Sequence, residues 1–286
     1  MDENRYLTII KPRSGWFDLN LRELANYKDL ILLFVKRNFV SLYKQTILGP
    51  AWAVIQPLLT TVVFSLVFGS IAGLAADGVP TFIFYLTANV IWSYFSGCLT
   101  TTSNTFIANS GILGKVYFPR LVMPISTVLS KLIDFTIQFC FMVIFVIYFW
   151  VTDSGVHPNW YVLMTPLILL QLAMLSLGVG VIISAATTKY RDLRMLVSFG
   201  VQLWMYGTPV AYDMFSIAGF APGGKYHALI MCNPVTPIVN IFRYAYLGIG
   251  EIEWFYYGLS WIVTLVVLFL GIILFSRVEK TFMDTV

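Results

Sequence analysis

A helix needs about 20 consecutive apolar residues to cross the roughly 30 Å hydrocarbon core of a bilayer. This chain offers that kind of run repeatedly, and no other feature limits its fold as strongly. Residues 51–76, 81–101, 121–151, 161–187, 196–212 and 255–276 are long and nearly free of charge, and each reads as a spanning helix. A seventh apolar stretch, residues 228–249, is interrupted by Pro234, Pro237 and Gly248 and carries Arg243. Broken segments of this kind are tolerated at membrane depth only when protein or a cavity surrounds them, so it reads as re-entrant on the outer side. The expected fold is therefore an all-α integral membrane protein with six transmembrane helices. Composition agrees: 58% of the 286 residues are apolar and 11% are charged, against about 25% charged in soluble domains. Mean hydropathy is +0.80. A disordered chain, a nucleic-acid-binding domain and most soluble enzymes are excluded. Three cysteines give neither a disulfide framework nor a metal cluster.

The basic residues supply the orientation. Fifteen of the eighteen Lys and Arg residues fall in four segments that a six-helix count puts on one side. These are the N-terminal segment, the loop after helix two (Lys115, Arg120), the loop after helix four (Lys189, Arg191, Arg194) and the C-terminal tail (Arg277, Lys280). The opposite side has Lys225 and Arg243. Cytoplasmic loops carry the excess of Lys and Arg, so both termini are expected in the cytoplasm. Residues 1–44 lack the apolar run and cleavage site of a signal peptide and read as cytoplasmic. The chain thus divides into a cytoplasmic segment, residues 1–50, and a membrane domain, residues 51–286.

Within the first part, residues 22–44 are amphipathic at helical spacing. Leu24, Tyr27, Ile31, Phe34, Val35 and Leu42 fall on one face; Arg22, Asn26, Asp29, Lys36, Arg37 and Lys44 fall on the other. A helix of this pattern lies in the membrane interface. It serves as a topological anchor or as a lever on a cytoplasmic partner, and spacing does not choose between them. The loop TFIANSGILGKVYFPRLV, residues 105–122, contains Gly111, Gly114 and Pro119 and cannot span. Asn109 or Ser110 suits the cap of a short helix there. Its apolar residues, Ile112, Leu113, Val116, Tyr117 and Phe118, favour a docking role over a plain connector.

Lys131 and Asp134 stand at i, i+3 in the third span. They read as a mutually neutralising pair rather than a proton relay, because the spans hold no further chain of ionisable groups. The segment GFAPGGKY, residues 219–226, approaches a phosphate-binding loop. Tyr226 replaces its required Ser or Thr, and no strand precedes it. His157 and His227 lie far apart in sequence and do not suggest a metal site. The many aromatics in and near the spans are mostly interfacial anchors or apolar bulk. A subset lining a wide channel would suit sugars, whose apolar ring faces stack on aromatic rings.

Several segments, in order, resemble one family. LYKQTILGPAWAVIQPLL (residues 42–59), NSGILGKVYFPRLVMP (109–124), YRDLR (190–194), TPVAY (208–212) and NPVTPIVNIFRYAYLG (233–248) are similar to segments of permease subunits of polysaccharide-exporting ABC transporters of the type-2 exporter family. The resemblance implies a homodimer joined to two copies of a separate ABC ATPase, which carries the ATP and Mg; this chain has no nucleotide site and is not itself an enzyme. It implies export of an undecaprenyl-diphosphate-linked glycan across the bacterial inner membrane, with O-antigen ahead of teichoic acid and capsule. By the same carry-over, a cytoplasmic coupling helix sits between helices two and three. Lys115, Tyr117, Phe118, Pro119 and Arg120 contact the ATPase, supported by Tyr190, Arg191 and Asp192. The interface helix, with Arg22, Lys36, Arg37 and Lys44, guides the lipid diphosphate. Pro234, Pro237, Arg243 and Tyr244 belong to an outer gate. Candidate channel-lining residues are Trp52, Phe64, Phe68, Tyr85, Trp92, Tyr94 and Phe95. Two other readings are an exporter of drugs or small lipids and a membrane glycosyltransferase. The first usually has a large outer domain or a fused ATPase. The second needs catalytic carboxylates or a histidine at the membrane surface.

Overall fold

The computed structural model describes residues 24, 26–44, 46–113, 116, 118–189 and 192–281. Helices are the only regular secondary structure among the described residues. Helix α1 (Lys28–Tyr43) precedes a tight turn at Gly49–Ala51 and helix α2 (Trp52–Phe64), which continues through a π-helical turn at Ser65–Ile71. Helix α3 covers Thr81–Ser103. Two short turns of helix, α4 (Thr105–Ala108) and α5 (Ser110–Leu113), lead to α6 (Val122–Val151). A 3₁₀ turn at Trp160–Met164 opens α7 (Thr165–Lys189), followed by α8 (Leu193–Tyr206). The short α9 (His227–Met231), then α10 (Val235–Leu247) and α11 (Trp254–Thr281), complete the fold.

Five helical stretches are long and apolar enough to cross a membrane: Gly49–Ile71, Thr81–Ser103, Val122–Val151, Trp160–Thr187 and Trp254–Phe275. They correspond to five of the six expected spans. The expected fifth span, residues 196–212, is helical only to Tyr206, and α8 has 14 residues, about 21 Å of rise. The cause is local. Thr208 precedes Pro209, a position that disfavours helical backbone, and Pro209 has no N–H to continue the ladder.

Helix α3 is the centre of the bundle, with side chains from Ile83 to Phe95 almost all buried. Helices α2, α6, α7, α8 and α10 all pack against it. In contrast, α6 and α11 keep long apolar faces exposed, as lipid-facing helices do: Ile144, Tyr148 and Trp150 on α6, Ile262, Val266 and Phe269 on α11. Helices α7 and α11 are in close backbone contact. A Cβ on Gly178 would lie 2.8 Å from the Leu268 backbone, and one on Gly271 would lie 2.7 Å from the Gly178 carbonyl. Small residues permit this approach where lipid supplies no hydrophobic drive between helices.

Between α8 and α11 the chain enters the bundle and returns to the end it left. His227 sits against Glu253, just ahead of α11. The Pro234 carbonyl then accepts from Ser260 Oγ at 2.6 Å, about two turns into α11. By Leu247 the chain is back beside the loop after α6, where its carbonyl accepts from the His157 N–H. Gly248, at φ +76°, ends α10 in the left-handed conformation that glycine adopts without penalty. This path is compatible with the re-entrant form expected for residues 228–249.

Candidate functional site

Helix α1 packs alongside the first half of α6. Phe34 is buried and its ring is 5.8 Å from that of Phe118, in a cluster with Phe106, Val122, Met123 and Phe275. Leu24, Tyr27 and Ile31 pack on the same cluster, as the amphipathic pattern predicts. Leu32 and Leu33 form a second apolar face and are 63% and 59% exposed. Helix α1 therefore presents one apolar side to the bundle and another outward.

Under the end of α1 is a cavity of about 620 Å³. Three spans wall it with residues at helical spacing: Trp52, Gln56 and Thr60 on α2; Asn89, Trp92, Ser93 and Ser96 on α3; Lys131, Asp134 and Gln138 on α6. Lys131 Nζ is 2.8 Å from Asp134 Oδ2, so the expected pair forms. It faces the cavity, and Tyr43 of α1 donates its hydroxyl to Asp134 Oδ1 at 2.6 Å. Burial, then the Asp134 carboxylate, pushes the Tyr43 hydroxyl far above its usual pKa range. Asn89 donates to Thr61 Oγ1 at 3.0 Å. Gln138 is buried, and its Oε1 has no hydrogen-bond partner among the described residues. A smaller cavity of about 240 Å³ adjoins it, lined by Arg37, Asn38, Asn109 and Ser130, and shares Leu42, Lys131 and Asp134. Arg37 lies over the Phe34 ring and donates to Asn109 Oδ1 at 2.9 Å; burial lowers its pKa.

The residues singled out from sequence fall in several places. Trp52, Trp92 and Tyr94 line the larger cavity. Phe64, Tyr85 and Phe95 are buried in the core, and Phe68 packs against it. Of the interface-helix cations, Lys36 and Lys44 are exposed and Arg37 is half-buried, while Arg22 lies outside the described residues. In the loop before α6, Phe118 and Arg120 are both buried, and Val116 is exposed. Pro119 is partly exposed, Asp192 is exposed, and Lys115, Tyr117, Tyr190 and Arg191 lie outside the described residues. In the hairpin, Pro237 and Arg243 are buried in α10, whereas Pro234 and Tyr244 are half-buried. The Arg243 guanidinium donates to the carbonyls of Pro209, Val210 and Tyr212 and lies 3.8 Å over the Phe84 ring. It pins the turn that ends α8.

Sequence reasoning missed Tyr43, Gln56, Asn89 and Gln138 and gave the Lys131–Asp134 pair no cavity. A signal existed. Asn89, Ser93, Ser96 and Thr100 repeat along one face of α3, and Lys131, Asp134 and Gln138 do so along α6. Polar stripes on two spans need a common wet surface.

Long apolar helices around a polar cavity, capped by an amphipathic helix, define a multi-pass helical membrane protein with the layout of a transport subunit. The chain belongs to the ABC-2 type transporter family, whose pattern matches residues 29–247. Among its relatives is an O-antigen export system permease protein, RfbA, of Klebsiella pneumoniae, 26% identical over 257 residues, covering 90% of this chain and 94% of that protein. A second protein of that name from Klebsiella pneumoniae is 24% identical over 261 residues. One from Myxococcus xanthus is 28% identical over 224 residues, 78% of this chain and 82% of its own length.

Proposed function

We propose that this chain is the permease subunit of an ATP-driven exporter that moves a lipid-linked polysaccharide, of the O-antigen class, out across the bacterial inner membrane. The carrying observation is the match to three O-antigen export permeases along most of the chain, the Klebsiella pair covering 90% of it. The polar, tryptophan-bearing cavity supports the same reading, because a glycan needs hydrogen-bonding walls inside an apolar body. On this reading two copies work with two ATPase subunits that hold ATP and Mg. The loop around Phe118 takes the thrust of the ATPase. Phe118 is buried against Phe34 rather than offered outward, so it passes that motion to α1. Arg37 and the smaller cavity face the lipid diphosphate. Both termini lie in the cytoplasm. The α8 segment, with the turn pinned by Arg243, completes the sixth crossing.

Depleting the protein in its native cell and assaying lipid-linked glycan on both sides of the membrane tests the function. Finished glycan should accumulate in the cytoplasm and vanish from the surface; unchanged surface glycan would overturn the proposal. For orientation, a cysteine at Asp153 or Ser216 should react with an impermeant thiol reagent from outside, and one at Ser110 should not. The reverse labelling would invert the topology.

A further inference from the structure

A second recess, away from the polar cavity, has the opposite chemistry. Helix α8 turns Leu193, Leu196, Val197, Gly200, Val201 and Trp204 to one side, at the spacing of a single helix face. That face and the last turns of α7, at Ile183 and Ala186, enclose a groove of about 400 Å³ that also touches Leu99 of α3. Of the side chains lining it, only Trp204 has a polar atom, and its indole N–H is already donated to Asn233 Oδ1 at 2.9 Å. The Trp204 ring also packs edge-on to Phe95 at 5.2 Å, which fixes it as the far wall. Gly200 leaves room rather than permitting close packing, since a Cβ there would meet nothing within 4 Å. Ala186, Leu196 and Gly200 are exposed, so the groove opens outward. Such a recess offers a sugar no hydrogen bond, and left unfilled it forfeits the dispersion contacts of its lining.

Length and charge identify what fills it. From Leu193 to Trp204 the helix rises about 16 Å. That is about half of the roughly 30 Å hydrocarbon core, the depth of one leaflet. Beside Leu193, at the start of the same helix, Arg194 is exposed. The connection from α7 also carries Lys189 and Arg191, against the single carboxylate of Asp192. Basic residues at a membrane surface attract anionic lipid heads. We propose that the groove holds one acyl chain of an anionic phospholipid of the bilayer, with the lipid phosphate at Arg194. The lipid belongs to the cytoplasmic leaflet in the orientation proposed above; the inference rests on that orientation and not on the nature of the cargo. Helix α8 has 14 residues, too few to cross the membrane, and its other side is exposed at Met195, Phe199 and Leu203. The bound chain supplies the packing that holds α8 against α7.

The test uses the full-length protein in phosphatidylcholine nanodiscs containing a trace of phosphatidylglycerol with a photoreactive acyl chain. Cross-links should map to the groove faces of α7 and α8. Excess unlabelled phosphatidylglycerol should remove them, and further phosphatidylcholine should not. Gly200→Phe and Ala186→Phe, which fill the groove from opposite walls, should each abolish labelling there, with the unfolding temperature checking that the fold survives. The wild-type map decides the matter even where a variant fails to fold. Arg194→Gln should keep the label but cut the preference for phosphatidylglycerol about fivefold, the share of one basic residue at an anionic surface. Labelling of the exposed α11 face at Phe269 as heavy as that of the groove would overturn the site. Removal of the label by a polyprenyl phosphate but not by phosphatidylglycerol would overturn the phospholipid assignment. Disulfide pairing of two Gly200→Cys copies in the nanodisc would overturn it in favour of a second copy of the chain.

Discussion

Arg243 and Lys131 both lie inside the helical body, yet they are held in opposite ways. Arg243 is 4% exposed, donates to three main-chain carbonyls and stacks on Phe84. Its partners are main-chain carbonyls of the turn after α8. Lys131 and Asp134 are 25% and 15% exposed, bond to each other and to Tyr43, and face open volume. The first arrangement spends its charge on local structure. The second keeps polar capacity for something that comes and goes. An intramembrane charge is thus a functional candidate only after its partners have been counted.

Breaking each arrangement should give effects of different kinds. The largest loss of stability is expected for Arg243→Leu, which leaves the carbonyls of Pro209, Val210 and Tyr212 without a donor. Removing one side of a buried charged network costs about 3–5 kcal/mol, so little folded protein should survive extraction. Near-normal unfolding temperature and yield would show that water replaces the guanidinium. Next comes the cavity pair. Asp134→Ala strands Lys131 and removes the acceptor of Tyr43, at a cost of about 1–3 kcal/mol. Adding Lys131→Ala should recover part of that stability while export stays low. Additive losses in the double variant would show that the pair is not coupled.

The smallest effect sharpens the contrast at the hairpin. His227 places Nδ1 2.8 Å from the Phe220 carbonyl and Nε2 3.0 Å from Glu253, two acceptors that the doubly protonated ring satisfies together. Burial alone would lower its pKa, but these two partners raise it above the ordinary value. Protonation is therefore favoured by folding. The stabilisation is present in full below about pH 6.5 and fades as pH rises through the raised value. Wild type should lose about 1 kcal/mol relative to His227→Gln over that interval. Parallel melting curves of the two proteins against pH would remove the ion pair from the account.

The spans were legible because crossing a membrane requires length and low polarity, and both are local properties of sequence. Residues 81–101 and 121–151 were read within a few residues of α3 and α6. The fifth span was overextended, because apolarity continues through Thr208 and Pro209 although helical backbone does not. The prolines and glycines of residues 228–249 marked it as broken, and the structure divides it into α9 and α10. The inward set of Phe118 was not, since it depends on Phe34, which lies 84 positions earlier in the chain. Nor was the cavity, whose walls come from five helices. Its polar stripes could be read on each helix, but not that they meet.

The backbone contact between Gly178 and Gly271 has a consequence for where this protein is free to change shape. At that contact the helices meet through main-chain atoms with no side chain between them to reorient, and a Gln171–Ser260 hydrogen bond ties them further along, so α7 and α11 behave as a single strut. Any widening large enough to admit a sugar chain must be taken up elsewhere. Helix α2, with few of its residues buried and a π-helical turn at its far end, is the wall with the most freedom to give way.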